Sequence, residues 1–297
     1  MLVARIQLVA GPNRGVTTYA RVERTANQTV SYHPMADPFR SGPESSSQPG
    51  STPLSQSGSA AALVAGPVPG TDAVLLAPCE PRVVLGMAHN TGAADRLLPP
   101  QAFHKSPHSV TGPGQPIALE ADQAAVDGEA ELAVVIGTRA RNLTPETALA
   151  AVYGYTCAND VTDRAAQASD SLWTEAKSRD SFTPIGPWIR TDLDPADISV
   201  RLSDDQQPGT QASTRGLARG VTEVLVYLTS IMTLHPGDVV LTGAPGPSLR
   251  LAPGGISRVD IPAIGDLLNP VVLAQNAIPA ADLATASAHG TEAAVAR

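Results

Sequence analysis

The chain has 297 residues, 42% of them hydrophobic and 3% aromatic, and its formal net charge is −8. This length can bury a sizeable, mainly aliphatic core, in one large domain or in a large domain with a small appendage. The acidic balance argues against a nucleic-acid surface and against binding to anionic membranes. The N-terminus is too short and polar for a signal peptide, no run reaches membrane-spanning length, and the two distant cysteines fit a reducing compartment. We therefore expect a soluble, cytoplasmic protein.

Short strands dominate the first part of the predicted secondary structure. Residues 1–38 alternate in strand-like runs. Residues 40–62 are rich in Ser, Pro, Gly and Gln, a composition typical of a flexible loop. We predict a small β-rich N-terminal region over residues 1–72. A strand pattern resumes at 73–88, and the Pro- and Gly-rich stretch 90–115 is predicted to be mainly loop.

The middle of the chain is predicted to hold a buried strand and a short helix. The run VDGEAELAVVIG, residues 126–137, is apolar in its second half and indicates a buried strand. Thr144 followed by Pro145 is typical of a helix N-terminus, so we predict a short helix that ends at Ala151. The next segment, YGYTCAND, is β-rich and ends at Asp160, and residues 161–186 are predicted to be irregular.

The last part of the chain is predicted to hold one helix and several strands. Residues 220–231 carry apolar side chains at helical spacing. A strand, a Gly/Pro loop and two closing strands follow up to residue 275, and residues 276–297 form an Ala-rich tail. Many short strands with two short helices indicate an antiparallel or mixed β architecture rather than alternating β-α-β units.

Two carboxylates at the start of the buried strand indicate a candidate site. Residues i and i+2 of a strand point to one side, so Glu129 and Glu131 would repel each other there and resist desolvation. A divalent cation resolves both problems, although a solvent-exposed strand end would also explain the pair. Asp160 adds a third carboxylate. Such a set without Cys or His ligands suits a hard cation: Mg²⁺, Mn²⁺ or Ca²⁺.

Five runs of this sequence, in their order and spacing, resemble the fumarylacetoacetate hydrolase family: EAELAVVIG, GYTCANDVTDRAAQ, AKSRDSFTPIGPWI, TLHPGDVVLTGAPG and IPAIGDLLNPVV. The resemblance covers residues 73–275 and implies a catalytic domain there, a mixed β-sandwich roll of mostly β, α+β class. Members of this family are often homodimeric, cytoplasmic enzymes that bind a divalent cation, here expected to be Mg²⁺ first. They act on 2-oxo acids and 1,3-dicarbonyl compounds by C–C hydrolysis, decarboxylation or isomerisation.

The resemblance also assigns roles to individual residues. Glu129, Glu131 and Asp160 match the metal ligands of the family. The substrate-contacting residues match Arg164, Gln167 and Lys177, and Lys177 is also a predicted catalytic residue. The chain has only two lysines, and the other, Lys105, lies in AFHKSP, which is similar to a Phe-x-Lys-Pro strand of the family. We expect Lys105 to be structural.

Two motifs depart from the family pattern. The family usually has Gly-x-Asn-Tyr-x-x-His-x-x-Glu on a mobile lid, whose His and Glu activate water, but GMAHNTGAAD places Gly92 and Asp95 at those positions. We predict that His89 and Asp95 replace the dyad as catalytic residues; His104 and His108 are alternatives. In GAP, Ala244 replaces the threonine whose hydroxyl binds the substrate carboxylate in the family. The remaining predicted substrate contacts are Thr242 and Gly243.

Three functions follow as hypotheses. The first is a divalent-metal-dependent hydrolase that cleaves a C–C bond of an acylpyruvate-like 2-oxo acid or 1,3-dicarbonyl substrate through a metal-bound enolate. The second is a decarboxylase, or an isomerase or tautomerase of a 2-oxo or 2-hydroxy-dienoate acid, which uses the same site but needs no directed water. The third is a binding or assembly protein that keeps the metal site for structure. In each enzyme hypothesis the partner is a small carboxylic acid.

Overall fold

The computed structural model describes residues 1–25, 27, 29–40, 64, 66–123 and 125–274. The predicted flexible segment beyond Arg40 and the predicted Ala-rich tail lie outside the described residues. Within these residues the chain forms twenty strands and three α-helices, which confirms the predicted mostly β, α+β class. No helix of this part of the chain combines the length and the apolar character that crossing a membrane requires.

The elements follow one another along the chain with short connections. The first strands are β1 (Leu2–Leu8), β2 (Thr17–Arg24), β3 (Val30–Met35), β4 (Val68–Pro69), β5 (Ala73–Leu75), β6 (Val84–Ala88), β7 (Gln101–Lys105), β8 (Val110–Thr111), β9 (Ile117–Leu119), β10 (Val126–Gly128) and β11 (Ala130–Ile136). The later strands are β12 (Val152–Asn159), β13 (Thr162–Asp163), β14 (Thr183–Arg190), β15 (Ser199–Ser203), β16 (Gln211–Ser213), β17 (Val239–Leu241), β18 (Leu249–Arg250), β19 (Ile256–Ile261) and β20 (Gly265–Leu273). The helices are α1 (Arg164–Ser169), α2 (Thr174–Lys177) and α3 (Val221–Ile231).

One mixed sheet of twelve strands organises the molecule. Its order is β4-β3-β2-β1-β14-β12-β11-β17-β6-β7, with β5 beside β1 and β8 beside β14. A five-stranded sheet has the order β16-β15-β19-β20-β9, and a three-stranded sheet has the order β13-β10-β18. The strands of the N-terminal region therefore continue the large sheet, since β1 pairs antiparallel with β14.

The central strand β11 is buried on both of its faces. Leu132, Val134 and Ile136 pack into the largest hydrophobic cluster, whereas Ala133 and Val135 pack into a second cluster on the opposite face. A strand covered on both sides has a continuous apolar run instead of an alternating pattern. This burial explains the run that predicted a strand, and it fixes the strand end that carries the candidate site.

The predicted helix at residues 145–151 is wrong. The structure has turns there and a single 3₁₀ turn, Leu149–Ala151, before β12 begins. The Thr147 hydroxyl accepts a hydrogen bond from the backbone N–H of Thr144 at 2.9 Å. Such local side-chain bonds favour a turn over a regular helix.

The irregular stretch predicted at 161–186 is also wrong, because it contains α1, α2 and the start of β14. The Asp163 carboxylate caps α1 by accepting hydrogen bonds from two backbone N–H groups of its first turn. The helix predicted at 220–231 is confirmed as α3, which begins after Gly220. The two predicted closing strands are confirmed as β19 and β20.

Candidate metal and substrate site

Three carboxylates meet at one end of the central strand pair. Glu129 connects β10 to β11, Glu131 is the second residue of β11, and Asp160 directly follows β12. Since β11 and β12 are antiparallel and Ala130 lies opposite Asn159, the start of one strand and the end of the other share an edge. One oxygen of each carboxylate lies within 4.8 Å of the others. The structure thus brings the three predicted metal ligands together.

Asn159 holds the backbone of this edge, a role that the sequence did not reveal. Its side-chain carbonyl accepts a hydrogen bond from the Glu129 N–H at 2.9 Å, and its amide donates to the Ser257 hydroxyl at 3.0 Å. The N–H of Asp160 donates to the Glu129 carbonyl at 2.8 Å. The signal available in the sequence was an Asn at the end of an apolar run, directly before the candidate ligand Asp160. A buried amide at such a place needs hydrogen-bond partners for its polar atoms.

Asp160 lies between the only two lysines of the chain. The Lys105 ammonium donates to Asp160 Oδ1 at 2.5 Å and to the Val161 carbonyl at 3.2 Å, and Lys177 donates to Asp160 Oδ2. Burial alone would raise the pKa of Asp160, but the two ammonium groups outweigh it and hold that pKa below its usual value. Burial lowers the pKa of Lys105 to about 8 against the attraction of Asp160. The complete burial of Lys105 fits the structural role expected of it.

Glu131 is the one carboxylate of the three whose negative charge has no salt bridge among the described residues. Burial, followed by repulsion from Asp160 and Glu129, raises its pKa well above the usual value. Its partner is the backbone N–H of Gly243, which donates to Oε2 at 2.5 Å. An all-oxygen, hard donor set with a buried carboxylate that lacks a cationic partner among the described residues fits a divalent cation.

Arg164 is fixed at the edge of the carboxylate group by three acceptors. Its Nε donates to Asp127 at 2.9 Å, one terminal nitrogen to Gln167 at 2.9 Å, and the other to Glu129 at 2.8 Å. Lys177 reaches Glu129 as well, at 3.2 Å. Asp127, which the sequence did not reveal, also accepts from Arg250 and orients the guanidinium of Arg164 together with Gln167 and Glu129.

The loop after β17 contributes backbone rather than hydroxyl groups. Thr242 is buried and its hydroxyl donates to the Leu132 carbonyl at 2.8 Å, so it lies outside the cleft that holds the carboxylates. Gly243 has a φ of 104°, and a Cβ there would lie 2.3 Å from the Asn90 carbonyl oxygen, so glycine is required. Ala244 is the residue of this loop that lines the cleft.

The segment after β6 carries the predicted replacement for the lid dyad. His89, at a φ of 50°, and Asp95 both line the cleft. The Asp95 carboxylate accepts from the Thr91 N–H and hydroxyl and from the Gly92 N–H, and the structure has no hydrogen bond between it and His89. Asn90, a further residue that the sequence did not reveal, bonds to the backbone of Thr242 and of Arg219. His104 and His108 do not line the cleft, and His104 alternates with the inward Phe103 and Lys105 along β7.

These groups share a cleft of about 310 Å³. Its polar side comprises Glu129, Glu131, Asp160, Arg164, Gln167 and Lys177. Its apolar side comprises Met87, Ala88, Phe103, Trp173 and Ala244, and the rest of the lining is His89, Thr91 and Asp95. The sequence therefore predicted the polar side, but it gave no indication of the apolar side.

Comparisons with known proteins point to one family. Residues 82–272 match the family model described as fumarylacetoacetate (FAA) hydrolase C-terminal. Protein Rv2993c of Mycobacterium tuberculosis is 39% identical over 176 residues, which make up 58% of this chain and 66% of that protein.

Two solved structures show the same fold with different named reactions. A 5-carboxymethyl-2-hydroxymuconate delta-isomerase from Mycobacterium smegmatis has a TM-score of 0.77 and 31% identity, covering 92% of this chain and 100% of its own. A maleylpyruvate hydrolase from Sphingobium sp. SYK-6, solved with manganese(II) and pyruvate, has a TM-score of 0.63 and 28% identity, covering 70% of this chain and 77% of its own. The fold class is thereby confirmed.

Proposed function

Because the chain belongs to the fumarylacetoacetate hydrolase family, we propose that it is a divalent-metal-dependent hydrolase that cleaves a C–C bond of an acylpyruvate-like 2-oxo acid. The observation that carries the proposal is the group of Glu129, Glu131 and Asp160 in one cleft with Arg164 and Lys177. We further propose Mg²⁺ or Mn²⁺ as the cation and a homodimer as the assembly. Manganese in the related maleylpyruvate hydrolase supports this choice of cation.

Each side chain of the cleft has a proposed task. The three carboxylates would hold the cation, which supplies Lewis-acid polarisation of the substrate oxygens. Arg164, already oriented by Asp127, binds the substrate carboxylate. The Lys177 ammonium donates a hydrogen bond to the oxygen on which negative charge develops.

Water activation is assigned to His89, the only imidazole among the described residues that line the cleft. Its imidazole takes a proton from water, which adds to the distal carbonyl carbon. The bond between that carbon and the neighbouring CH₂ then breaks, so that a carboxylic acid and pyruvate form after protonation of the CH₂ carbon. Asp95 contributes by fixing the loop beside His89 through Thr91 and Gly92.

An isomerase, tautomerase or decarboxylase is the second candidate. It is favoured by the missing hydrogen bond between His89 and Asp95 and by the isomerase name of a structural relative. Proton transfer or loss of CO₂ uses Arg164 and Lys177 in the same way but needs no directed water. A binding or assembly protein is the third candidate.

The test is turnover of acetylpyruvate, oxaloacetate and a 2-hydroxy-dienoate by protein loaded with Mg²⁺ or Mn²⁺, with the products identified. Acetate and pyruvate from acetylpyruvate, lost in a Glu129→Ala, Glu131→Ala double variant and in His89→Gln, would support the hydrolase. Enol–keto exchange or decarboxylation that survives His89→Gln would favour the second candidate instead. Tight metal binding without turnover of any of the three acids would favour the third.

A further inference from the structure

Resting on the proposed function, we propose that the substrate carries an uncharged apolar group, of aromatic size, at the end opposite its 2-oxo acid, and not a second carboxylate. The cleft has a polar side that suits the 2-oxo acid head. Five apolar residues also line the cleft, and we call them the apolar wall: Met87, Ala88, Phe103, Trp173 and Ala244. Apolar walls with a few convergent polar groups are the usual form of a specific small-molecule site.

Two aromatic rings form the centre of this wall. The rings of Phe103 and Trp173 lie 5.4 Å apart at 62°, and the His89 ring lies 6.3 Å from that of Trp173. The Lys177 Nζ lies 4.7 Å from the centre of the Phe103 ring, so the wall begins directly beside the polar head site. A substituent of the substrate in this cleft therefore has aromatic surface within reach, against which a further ring packs favourably.

A second substrate carboxylate has no free cation in this cleft. Among the described residues that line it, Arg164 and Lys177 are the only permanent cations. Both are assigned to the head of the substrate, and both also donate to carboxylates of the protein, so neither is left for a second substrate carboxylate. Asp95 also lines the cleft, and its negative charge would repel another carboxylate.

The charge balance of the site also fits a monoanion. The four carboxylates of the cleft and the adjoining Asp127, counted as ionised, face four cations, which are Arg164, Lys177, Lys105 and Arg250. A bound divalent cation would leave one net positive charge, and the head carboxylate of the substrate cancels it. The second carboxylate of a dianion would add an unpaired charge in a partly enclosed site, where its desolvation is costly.

The experiment compares three 2-oxo acids that share the head group: 2-oxo-4-phenylbutanoate, 2-oxopentanoate and 2-oxoglutarate. None is a 1,3-dicarbonyl, so calorimetric titration of Mg²⁺-loaded protein measures binding without C–C hydrolysis. We expect 2-oxo-4-phenylbutanoate to bind at least about tenfold more tightly than 2-oxoglutarate. Trp173→Ala should remove its advantage over 2-oxopentanoate, whereas the matched variant Trp173→Phe should keep most of it.

Two different results would overturn the proposal. Binding of 2-oxoglutarate as tight as that of 2-oxo-4-phenylbutanoate, with both still dependent on Mg²⁺, overturns the apolar distal group and leaves the proposed metal-dependent function standing. If Trp173→Ala prefers 2-oxo-4-phenylbutanoate over 2-oxopentanoate as strongly as the wild type does, the proposed contact of the distal group with the apolar wall is likewise refuted. Failure of all three acids to bind the Mg²⁺-loaded protein overturns the proposed function together with this inference.

Discussion

Replacing Glu131 by glutamine should stabilise the metal-free protein at neutral pH. The pKa of Glu131 is raised by its burial and by the charges of Asp160 and Glu129. The folded protein therefore favours the neutral, protonated form of Glu131. The stability that this form contributes is fully present below the unfolded pKa, near 4.5, and is lost as the pH rises toward the folded pKa. Glutamine keeps the shape and an acceptor for the Gly243 N–H but has no charge to bury.

The size of the effect follows from proton linkage. Over the window between the two pKa values, the wild type loses about 1.4 kcal/mol per pH unit relative to the variant. From pH 5 to pH 7 the difference reaches at most about 2.7 kcal/mol, which corresponds to a midpoint difference of about 5 °C in a chain of this size.

Thermal unfolding in EDTA at pH 5 and pH 7 measures this difference. Glu129→Gln is the matched control, because the Glu129 side chain is 17% exposed and is paired with Arg164 and Lys177. We expect that control to be destabilised at pH 7. Two results would contradict this prediction. Either the stability difference between Glu131→Gln and wild type is the same at both pH values, or the variant is less stable than wild type at pH 7.

Three further predictions concern metal binding, substrate binding and the loop after β6. Mg²⁺ affinity should rise with pH, and calorimetry in paired buffers should detect more proton release at pH 6 than at pH 8, since the raised pKa of Glu131 makes protons compete with the cation. Asp127→Asn should raise KM about tenfold with little change in kcat, because Arg164 loses the partner that orients it. Asn90→Ala should cost about 3 kcal/mol in urea unfolding and speed amide exchange over residues 89–98, as three buried hydrogen bonds disappear.

The polar side of the cleft could be predicted because its residues follow local rules. The period of two along a strand places Glu129 and Glu131 together, and Asp160 ends the next apolar run. The structure refines this picture, since Glu129 lies between β10 and β11 rather than within one strand. The supporting residues follow no local rule: Asn90 bonds to Arg219, and Asp127 to Arg250, across more than a hundred residues of sequence. Such partners are set by tertiary packing, which a single sequence does not reveal.

The apolar wall could not be predicted from the sequence, for a related reason. Phe103 and Trp173 are far apart in sequence and come from β7 and from the residue before α2, so no spacing rule connects them. Thr242 was predicted to contact the substrate, but its hydroxyl donates to the Leu132 carbonyl and the residue does not line the cleft. Matching positions along a motif identifies which residues are present, but it does not determine which way each side chain points.

The two sides of the cleft differ in how they are held, and this difference bears on the reaction. The carboxylates stand at the ends of β11 and β12, whose residues are buried on both faces, so the position of a bound cation is set by the sheet. The apolar wall is held less uniformly: Met87, Ala88 and Phe103 belong to β6 and β7, whereas Trp173 directly precedes α2 and Ala244 lies in the loop after β17. His89 lies in the loop after β6, which Asn90 joins to the backbone of Thr242 and of Arg219. We therefore expect substitutions at His89 and Trp173 to alter the proposed base and the proposed distal contact without moving the carboxylates. Structural relatives named as an isomerase and as a hydrolase share this fold, which is consistent with a reaction that depends on such segments.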